Sequence, residues 1–466
     1  MSKSDLLRVT KILVIKLFGM YTHEVPLRVR DRVTIIHGPN GVGKTVLFRL
    51  VAALLSGNVF ELLKVPFTTF EVTLSDGHTI GFTREPETKG IRKKNGDVLG
   101  TCYLKRDGEV VYQFQPKGSQ VDIRRLAFRI EREMPWIARI DEDRFVDRRT
   151  DEVFTASELL MNYSGRLREQ GKGPSLFPEA DWFMDIRSRV SVHLVEAQRL
   201  LRLSPLQPEW EPPSHRRSIR DSYSATVKAY AMDLQSRISE TLTTYAKQSQ
   251  SLDQSFPQRL LKSADSALSV DDLKSRMGAL EADRKQLKQI GLIDEDTTYP
   301  FDVRALERLD ATRKTVMTLY VEDTARKLGV LEDLARRTQI LVENINGKFA
   351  HKNILINREK GLVAKTDEGQ LLELDALSSG EQHELVLLYD LLLRVKANTV
   401  VIIDEPELSL HVTWQKSFLP DLIKVVEATG YDVILATHSP FIVGERSDLM
   451  VALSSDSESS QSPKQQ

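Results

Sequence analysis

With 466 residues the chain is long enough for two to four ordinary domains, and a hydrophobic content of 41% lets it bury a large core and argues against bulk disorder. Lys plus Arg (65) and Asp plus Glu (66) nearly cancel, so the chain is not a generally basic nucleic-acid binder, although that balance leaves room for a local basic patch. Cys102 is the only cysteine, which excludes an intrachain disulfide and a cysteine zinc site.

No apolar run reaches the ~20 residues needed to cross a bilayer. The longest candidate, Leu385 to Leu393, is short and interrupted by Asp390. The stretch Met1 to Thr10 is polar and charged, unlike a secretory signal, and a cytoplasmic setting without a membrane partner is expected.

The first fifty residues read as three strands and a helix. Ile12 to Leu17 and Val25 to Val29 are apolar segments joined by a turn around Gly19, and Val33 to Ile36 runs into a glycine-rich loop. Val46, Leu47, Leu50, Val51 and Leu54 then recur at helical spacing, with Gly57-Asn58 as the stop. Residues 66 to 115 alternate as a β meander around an Asp76-Gly77 turn. Val190 to Val195 reads as a buried strand, and the proline-rich Pro205 to Ser214 as a linker.

From Ile219 to Asn346 the chain is nearly free of Pro and Gly and rich in helix formers. This predicts a helical insertion broken near Pro257 and near Thr297 to Pro300. A helix of ~30 residues reaches ~45 Å, a short arm rather than a long coiled coil. Strand patterns return at Ile354 to Ile356, Gly361 to Val363 and Leu371 to Leu374, and two helices and two strands complete the fold to Leu453. Trp414, Phe418, Leu422 and Val426 form an apolar stripe suited to core packing, in a helix that Pro420 should kink. The tail Ser454 to Gln466 has no apolar anchors and reads as disordered. The domains expected are 1–213 (N-terminal lobe), 214–345 (helical insertion), 346–453 (C-terminal lobe) and 454–466 (tail).

Gly38-Pro39-Asn40-Gly41-Val42-Gly43-Lys44-Thr45 satisfies G-x-x-x-x-G-K-[ST] in full, between a strand and a helix as that loop requires. Its glycines let successive N–H groups face phosphate, and the helix start adds its positive dipole end. Lys44 would neutralise β/γ-phosphate charge, and the Thr45 hydroxyl would ligate Mg²⁺. Val400 to Ile403 is an apolar strand that carries Asp404 and Glu405 out at its end. Asp404 would hold Mg²⁺ through water, and Glu405 would polarise the attacking water.

Leu377-Ser378-Ser379-Gly380-Glu381-Gln382 opens a helix bearing Leu385, Leu388 and Leu392. A helix N-terminus with a serine hydroxyl and a glycine is an anion site. One nucleotide cannot use two phosphate cradles of one chain, so this second cradle would serve a partner's ATP.

The phosphate loop, L-S-S-G-E-Q, D-E-P-E-L-S-L-H and A-T-H-S-P, in that order, resemble the ABC ATPase family over roughly residues 8 to 60 and 345 to 453. More narrowly they resemble its non-transporter branch, the SMC/RecF-like heads and the overcoming-lysogenisation-defect ATPases. The run Leu377 to His411 looks most like ATPases of bacterial anti-phage systems such as Septu, its retron-associated relatives and PARIS.

The resemblance implies an α/β fold: a P-loop NTPase head of the ABC type, with a mixed central sheet, an antiparallel β subdomain and a helical insertion. It implies ATP and Mg²⁺ as cofactors, and slow hydrolysis of ATP to ADP and phosphate. Ser378, Ser379 and Gly380 correspond to the signature that contacts the partner's γ-phosphate. His438 corresponds to the switch histidine, and Glu407 to His411 to the D-loop, with His411 where transporters usually have Asp. Gln198 is the choice for the Q-loop ligand of Mg²⁺, with Gln115 as competitor.

Three uses follow. The favoured one is a sensor or scaffold subunit of an anti-phage defence complex, a homodimer or higher oligomer that controls a separate nuclease or toxin. This is consistent with the absence of evident nuclease motifs in the chain. The alternative is an SMC/RecF-like DNA-repair or DNA-binding head contacting DNA through Arg216, Arg217, Arg220 and Lys228. A transporter subunit is disfavoured by the ~130-residue helical insertion.

Overall fold

The architecture is taken from a computed structural model that describes residues 7–57, 62, 65–84, 100–114, 120–134, 136–141, 144–148, 152–156, 159, 181–196, 219–262, 267–293, 306, 309–408 and 410–453. β1 (Val9–Leu17) and β2 (Tyr21–Pro26) form an antiparallel hairpin around Gly19, whose φ of 78° suits glycine. The second strand thus begins earlier than expected, because Lys11 to Val14 pair with Pro26 to His23.

β3 (Val33–His37) departs into a second sheet and is followed by α1 (Lys44–Ser56), which buries Leu47, Leu50, Val51 and Leu54 along one face. Gly57 ends it in the left-handed conformation. β4 (Thr69–Leu74), β5 (Thr79–Thr83), β6 (Thr101–Arg106) and β7 (Glu109–Phe114) extend the hairpin into a six-stranded antiparallel sheet of order β2-β1-β4-β5-β6-β7. After α2 (Gln120–Glu133) come β8 (Ile137–Arg139), β9 (Arg144–Asp147) and β10 (Glu152–Thr155), a small sheet of their own. α3 (Asp181–Arg189) and β11 (Ser191–Glu196) lead back to the central sheet.

Three long helices follow: α4 (Ile219–Lys262), α5 (Val270–Ile290) and α6 (Ala311–Asn346). α4 has 44 residues, hence ~66 Å of helix, half as long again as expected. Pro257 lies inside α4 and does not break it. The Arg259 guanidinium donates to the Leu252 carbonyl at 2.9 Å, one residue before the Asp253 carbonyl that the proline nitrogen cannot serve. α4 and α6 run antiparallel, clamped by a two-pronged Arg259–Asp323 pair at 2.6 Å and by Lys327–Asp253 at 2.7 Å. The second expected break, at 297–300, lies outside the described residues.

β12 (Lys352–Asn357), β13 (Gly361–Thr366) and β14 (Leu371–Leu372) form a third antiparallel sheet. Gly361 lies so close to α4 that a Cβ would fall 1.8 Å from the Ala231 carbonyl oxygen, so the root of the helical insertion is packed into the head. α7 (Ser379–Tyr389) continues into a π-helical turn at Asp390–Arg394. There Asp390 is buried, within 2.7 Å of His193 Nε2, and Tyr230 stacks on Tyr389.

β15 (Thr399–Asp404), α8 (Val412–Thr429), β16 (Asp432–Ala436), α9 (Pro440–Val443) and β17 (Met450–Ala452) complete the head, with one strand more than expected. α8 continues through Pro420 and buries Phe418, Leu422 and Val426, while Trp414 is half-buried. The tail from 454 lies outside the described residues.

The central sheet has the order β11-β15-β16-β3-β17. Expected to be mixed, it is parallel at every described pairing, and antiparallel pairing is confined to the other sheets. Every residue of β15 is buried, as both faces of a parallel sheet require. Its side chains alternate between two cores: Val401 and Ile403 join the long helices, whereas Val400 and Ile402 join α1 and the six-stranded sheet. Arg8 on the loop into β1 clamps Asp432 at the start of β16, so the two ends of the chain close one head. The chain thus folds as an α/β head on a parallel central sheet, with an antiparallel β subdomain and a helical insertion.

Candidate nucleotide site

Parallel pairing decides which residues emerge together. Asp404 lies in register with Glu196 on one side and Ala436 on the other, and Ala436 in register with Ile36. The phosphate loop, the acidic pair and the switch histidine therefore leave the same edge of the sheet, the carboxyl end where ligands of such sheets bind.

The loop residues Pro39, Asn40 and Gly41 are exposed, Gly38, Gly43 and Thr45 are half-buried, and Val42 and Lys44 are buried. Gly41 and Gly43 have φ of 87° and 95°, and a Cβ on Gly43 would lie 2.6 Å from Leu17 Cδ2. Only glycine lets the loop curl at that point and start α1 against the β1–β2 turn. His23 on β2, itself buried, holds the loop from behind through Nε2 at 2.9 Å from the Val42 carbonyl, so that nitrogen carries the proton. The Lys44 ammonium donates to the Gly38 and Pro39 carbonyls at 3.0 Å each. Burial lowers its pKa, against the opposing pull of Glu405, Asp404 and Glu407.

Asp404 is 9% exposed at the end of β15. Glu405 turns away from the strand with φ 48°, in the left-handed region that a glutamate occupies only under constraint, and its N–H donates to the Ala436 carbonyl at 2.9 Å. Its carboxylate lies 3.9 Å from His438 Nε2. Glu407 fastens the switch loop, accepting from the Thr437 hydroxyl at 2.9 Å and from the His438 N–H at 2.6 Å. Gln415 on α8 accepts from the Ser439 hydroxyl at 2.7 Å, so a second side chain ties the same loop down. Between loop and switch lies a cleft of about 480 Å³ lined by His37, Gly38, Pro39, Thr437, His438 and Ser439.

These residues fit a magnesium nucleotide. The loop N–H groups and Lys44 suit a polyphosphate, and Thr45 and Asp404 suit a cation that keeps most of its ligands as water and phosphate oxygens. Among the described residues no group of three or more His, Cys, Asp or Glu is placed to hold a metal. Gln198 and its competitor Gln115 lie outside the described residues.

The Ser378 cradle is separate. Ser378 and Ser379 are exposed at the start of α7, and Ser378 forms a capping box in which its hydroxyl accepts from Glu381 N at 3.3 Å and its N–H donates to Glu381 at 2.7 Å. Lys352 donates to both Glu381 oxygens, at 2.8 and 3.0 Å. Burial alone would raise the Glu381 pKa, but Lys352 and Ser378 outweigh it, and the carboxyl lies below its ordinary value. An accepting serine oxygen still has its own proton to donate, so the cap and an anion can share Ser378. The half-buried Gly380 sits over Trp414, where a Cβ would meet the indole at 3.8 Å. His411 caps α8 through Nδ1, which accepts from Thr413 N at 3.4 Å.

Sequence reasoning missed His23, Gln415 and Phe18. Phe18 is 37% exposed and its ring would lie 3.3 Å from a Cβ on Gly43, so an aromatic face stands beside the phosphate loop. None of these stands in a motif. The basic run assigned to DNA contact fares differently: Arg216, Arg217 and the side chain of Arg220 lie outside the described residues. Lys228 is paired with Asp375 at 2.5 Å, which raises its pKa, so it is not a free cation.

No curated protein matches the chain. Solved structures similar to it include an Smc head domain with an extended coiled coil, bound to the C-terminal domain of ScpA, from Pyrococcus furiosus (14% identity, 97% of this chain and 94% of that one, TM-score 0.34). Others are an SmcHead bound to the C-winged helix domain of ScpA (10%, 96% and 95%, TM-score 0.37) and the SMC head domain from Thermotoga maritima (12%, 96% and 94%, TM-score 0.34). Among the described residues no helix is long and apolar enough to cross a membrane. A family profile described as "AAA domain, putative AbiEii toxin, Type IV TA system" matches residues 207–444, a little over half of the 466, and the chain belongs to that family of AAA-type ATPases.

Proposed function

We propose that the chain hydrolyses ATP in a head-to-head homodimer, each phosphate loop being closed by the Ser378 turn of the other copy. One observation carries this reading. Lys44, Asp404, Glu405 and His438 converge at one sheet edge, whereas the hydrogen bonds of Ser378 stay within its own capping box and, among the described residues, none reaches residues 38–45. Two anion cradles that do not share a nucleotide within one copy can share two between copies. The head comprises 1–213 and 346–453 and the insertion 214–345, with the root of α4 embedded in the head.

Bound magnesium ATP supplies the phosphoanhydride and its charge neutralisation. Lys44 exchanges the Gly38 and Pro39 carbonyls for phosphate oxygens, and the loop N–H groups orient the chain of phosphates. Thr45, Asp404 and Gln198 are the protein's share of the cation site. Glu405 orients water and accepts its proton, and its constrained backbone aims the carboxylate. His438, fastened by Glu407, donates to the γ-phosphate end. Phe18 offers a face to the base.

The family description names a toxin–antitoxin setting. With the likeness of residues 377–411 to anti-phage ATPases, this supports a sensor or scaffold subunit whose nucleotide state governs a separate nuclease or toxin. Plaque counts on cells carrying the gene with its native neighbours test that level: protection should vanish with Glu405→Gln, and protection that persists would refute it.

The dimeric site is tested by mixing two inactive variants. Lys44→Ala and Ser378→Glu should each hydrolyse no ATP, and a mixture should regain roughly a quarter of parent activity, because half the dimers are mixed and each holds one intact composite site. A mixture as inactive as its parts would overturn the shared site.

A further inference from the structure

We infer that the first turn of α8 serves both nucleotide sites of the dimer: Gln415 positions the switch loop at its own copy's nucleotide, and Trp414 positions the Ser378 turn at the partner's. This rests on the shared-site reading above. The two residues are consecutive, and successive side chains leave a helix about 100° apart, so one turn addresses two different neighbours.

In the stripe Trp414, Phe418, Leu422 and Val426 the last three are buried, whereas Trp414 is half-buried and borders the Ser378 turn. Its ring atoms Cζ3 and Cη2 lie 3.8 and 3.9 Å from the place a Cβ on Gly380 would take. That is ordinary contact distance, so the indole backs the glycine without crowding it. The buried Phe349 stacks on the indole with centroids 6.3 Å apart and planes 27° apart, and His411 lies against it at 6.0 Å. The ring is held between aromatic neighbours while its edge meets Gly380.

Gln415 is 8% exposed, an amide buried at a cost that only hydrogen bonds offset. Its Nε2 donates to the Glu407 and Leu410 carbonyls at 3.4 Å each. Carbonyls only accept, so the amide is fixed with Oε1 toward the Ser439 hydroxyl, which donates to it at 2.7 Å. The Ser439 N–H donates in turn to the Thr437 hydroxyl at 3.0 Å, and that hydroxyl to Glu407. One buried amide thus joins the loop that follows Glu405 to the loop that carries His438.

The competing account is that both side chains only hold the head together, and copy dependence separates the two. In a mixed dimer of Lys44→Ala and Ser378→Glu copies, the intact site takes its phosphate loop and switch loop from the Ser378→Glu copy. Its Ser378 turn comes from the Lys44→Ala copy. A residue that positions the switch loop matters on the first copy, and one that positions the Ser378 turn matters on the second. A residue that only stabilises the head matters on both.

The test measures steady-state phosphate release from ATP in such mixtures of the full chain. Gln415→Met on the Ser378→Glu copy should lower the recovered kcat ~3- to 10-fold with little change in KM, and on the Lys44→Ala copy should leave it as it was. Trp414→Ala should show the reverse placement, and where it is poorly folded, Trp414→Leu fills the site without a ring and should do the same. Ser439→Ala should lose activity on the same copy as Gln415→Met, and the pair should lose less than the product of the single losses, since they share one hydrogen bond. Equal losses on both copies, the opposite placement, or no loss would overturn the assignment and leave the shared site intact. A Lys44→Ala and Ser378→Glu mixture that recovers nothing before either change is added would remove the shared site, and this assignment with it.

Discussion

The Glu407 carboxylate accepts a hydrogen bond from the backbone N–H of His438 at 2.6 Å, joining the loop that follows the acidic pair to the loop that follows β16. The same carboxylate takes the Thr437 hydroxyl, so the position of the His438 imidazole beside Glu405 is set by a residue 31 positions earlier in the chain.

Glu407→Gln replaces one accepting oxygen by an amide that donates. Losing one charge-assisted hydrogen bond of about 1.5–3 kcal/mol should lower kcat ~10- to 100-fold. Because Glu407 positions the switch loop rather than binding phosphate, KM for ATP should change little. Steady-state kinetics decide it, and an unchanged kcat would refute the positioning role.

Glu405→Gln should lower turnover at least ~10²-fold while nucleotide binding and dimers persist, since the amide keeps the shape but accepts no proton. Single-turnover kinetics alongside equilibrium nucleotide binding separate the two effects. Ordinary turnover in this variant would dismiss Glu405 as the base.

Lys348, just beyond α6, meets Glu384 of α7 and, at 3.1 Å, Asp421 of α8, with Lys348 and Glu384 almost fully buried. Burial raises the Glu384 pKa against the pull of Lys348. Lys348→Met strands a buried carboxylate and should destabilise the head by about 3–5 kcal/mol. Lys348→Met/Glu384→Leu should recover much of that loss. Urea unfolding of parent, single and double variants provides the measurement.

Burial lowers the His383 pKa to about 4. Native His383 stays neutral where the unfolded chain already takes up a proton, so its contribution is present above pH ~6.5 and is lost as pH falls toward 4. Between pH 7.5 and 5 this amounts to about 2 kcal/mol. His383→Leu should therefore lose less stability than the parent over that interval, and equal losses would refute the assignment.

The phosphate loop, the Asp404–Glu405 pair and the Ser378 turn were legible because each is a contiguous run whose residue types answer one chemical need. The helix after the loop and the apolar β15 followed from spacing and from a run of β-branched residues. Pro257 misled, because a proline was read as a break where the helix Ile219–Lys262 in fact continues, held against the helix Ala311–Asn346 by the Arg259–Asp323 and Lys327–Asp253 pairs. The pairing of Lys228 with Asp375, 147 residues away, could not be read from the basic run itself.

The amino-acid order by itself determined the motifs: a glycine-rich loop between strand and helix, two carboxylates at a strand end, and a serine-capped helix start at Ser378. Those are local properties of a few consecutive residues. Tertiary structure decided what supports them, including His23 behind the loop and Glu407 under His438. Each of these depends on which strands pair and which helices touch, and therefore on the packing of two cores across one parallel sheet.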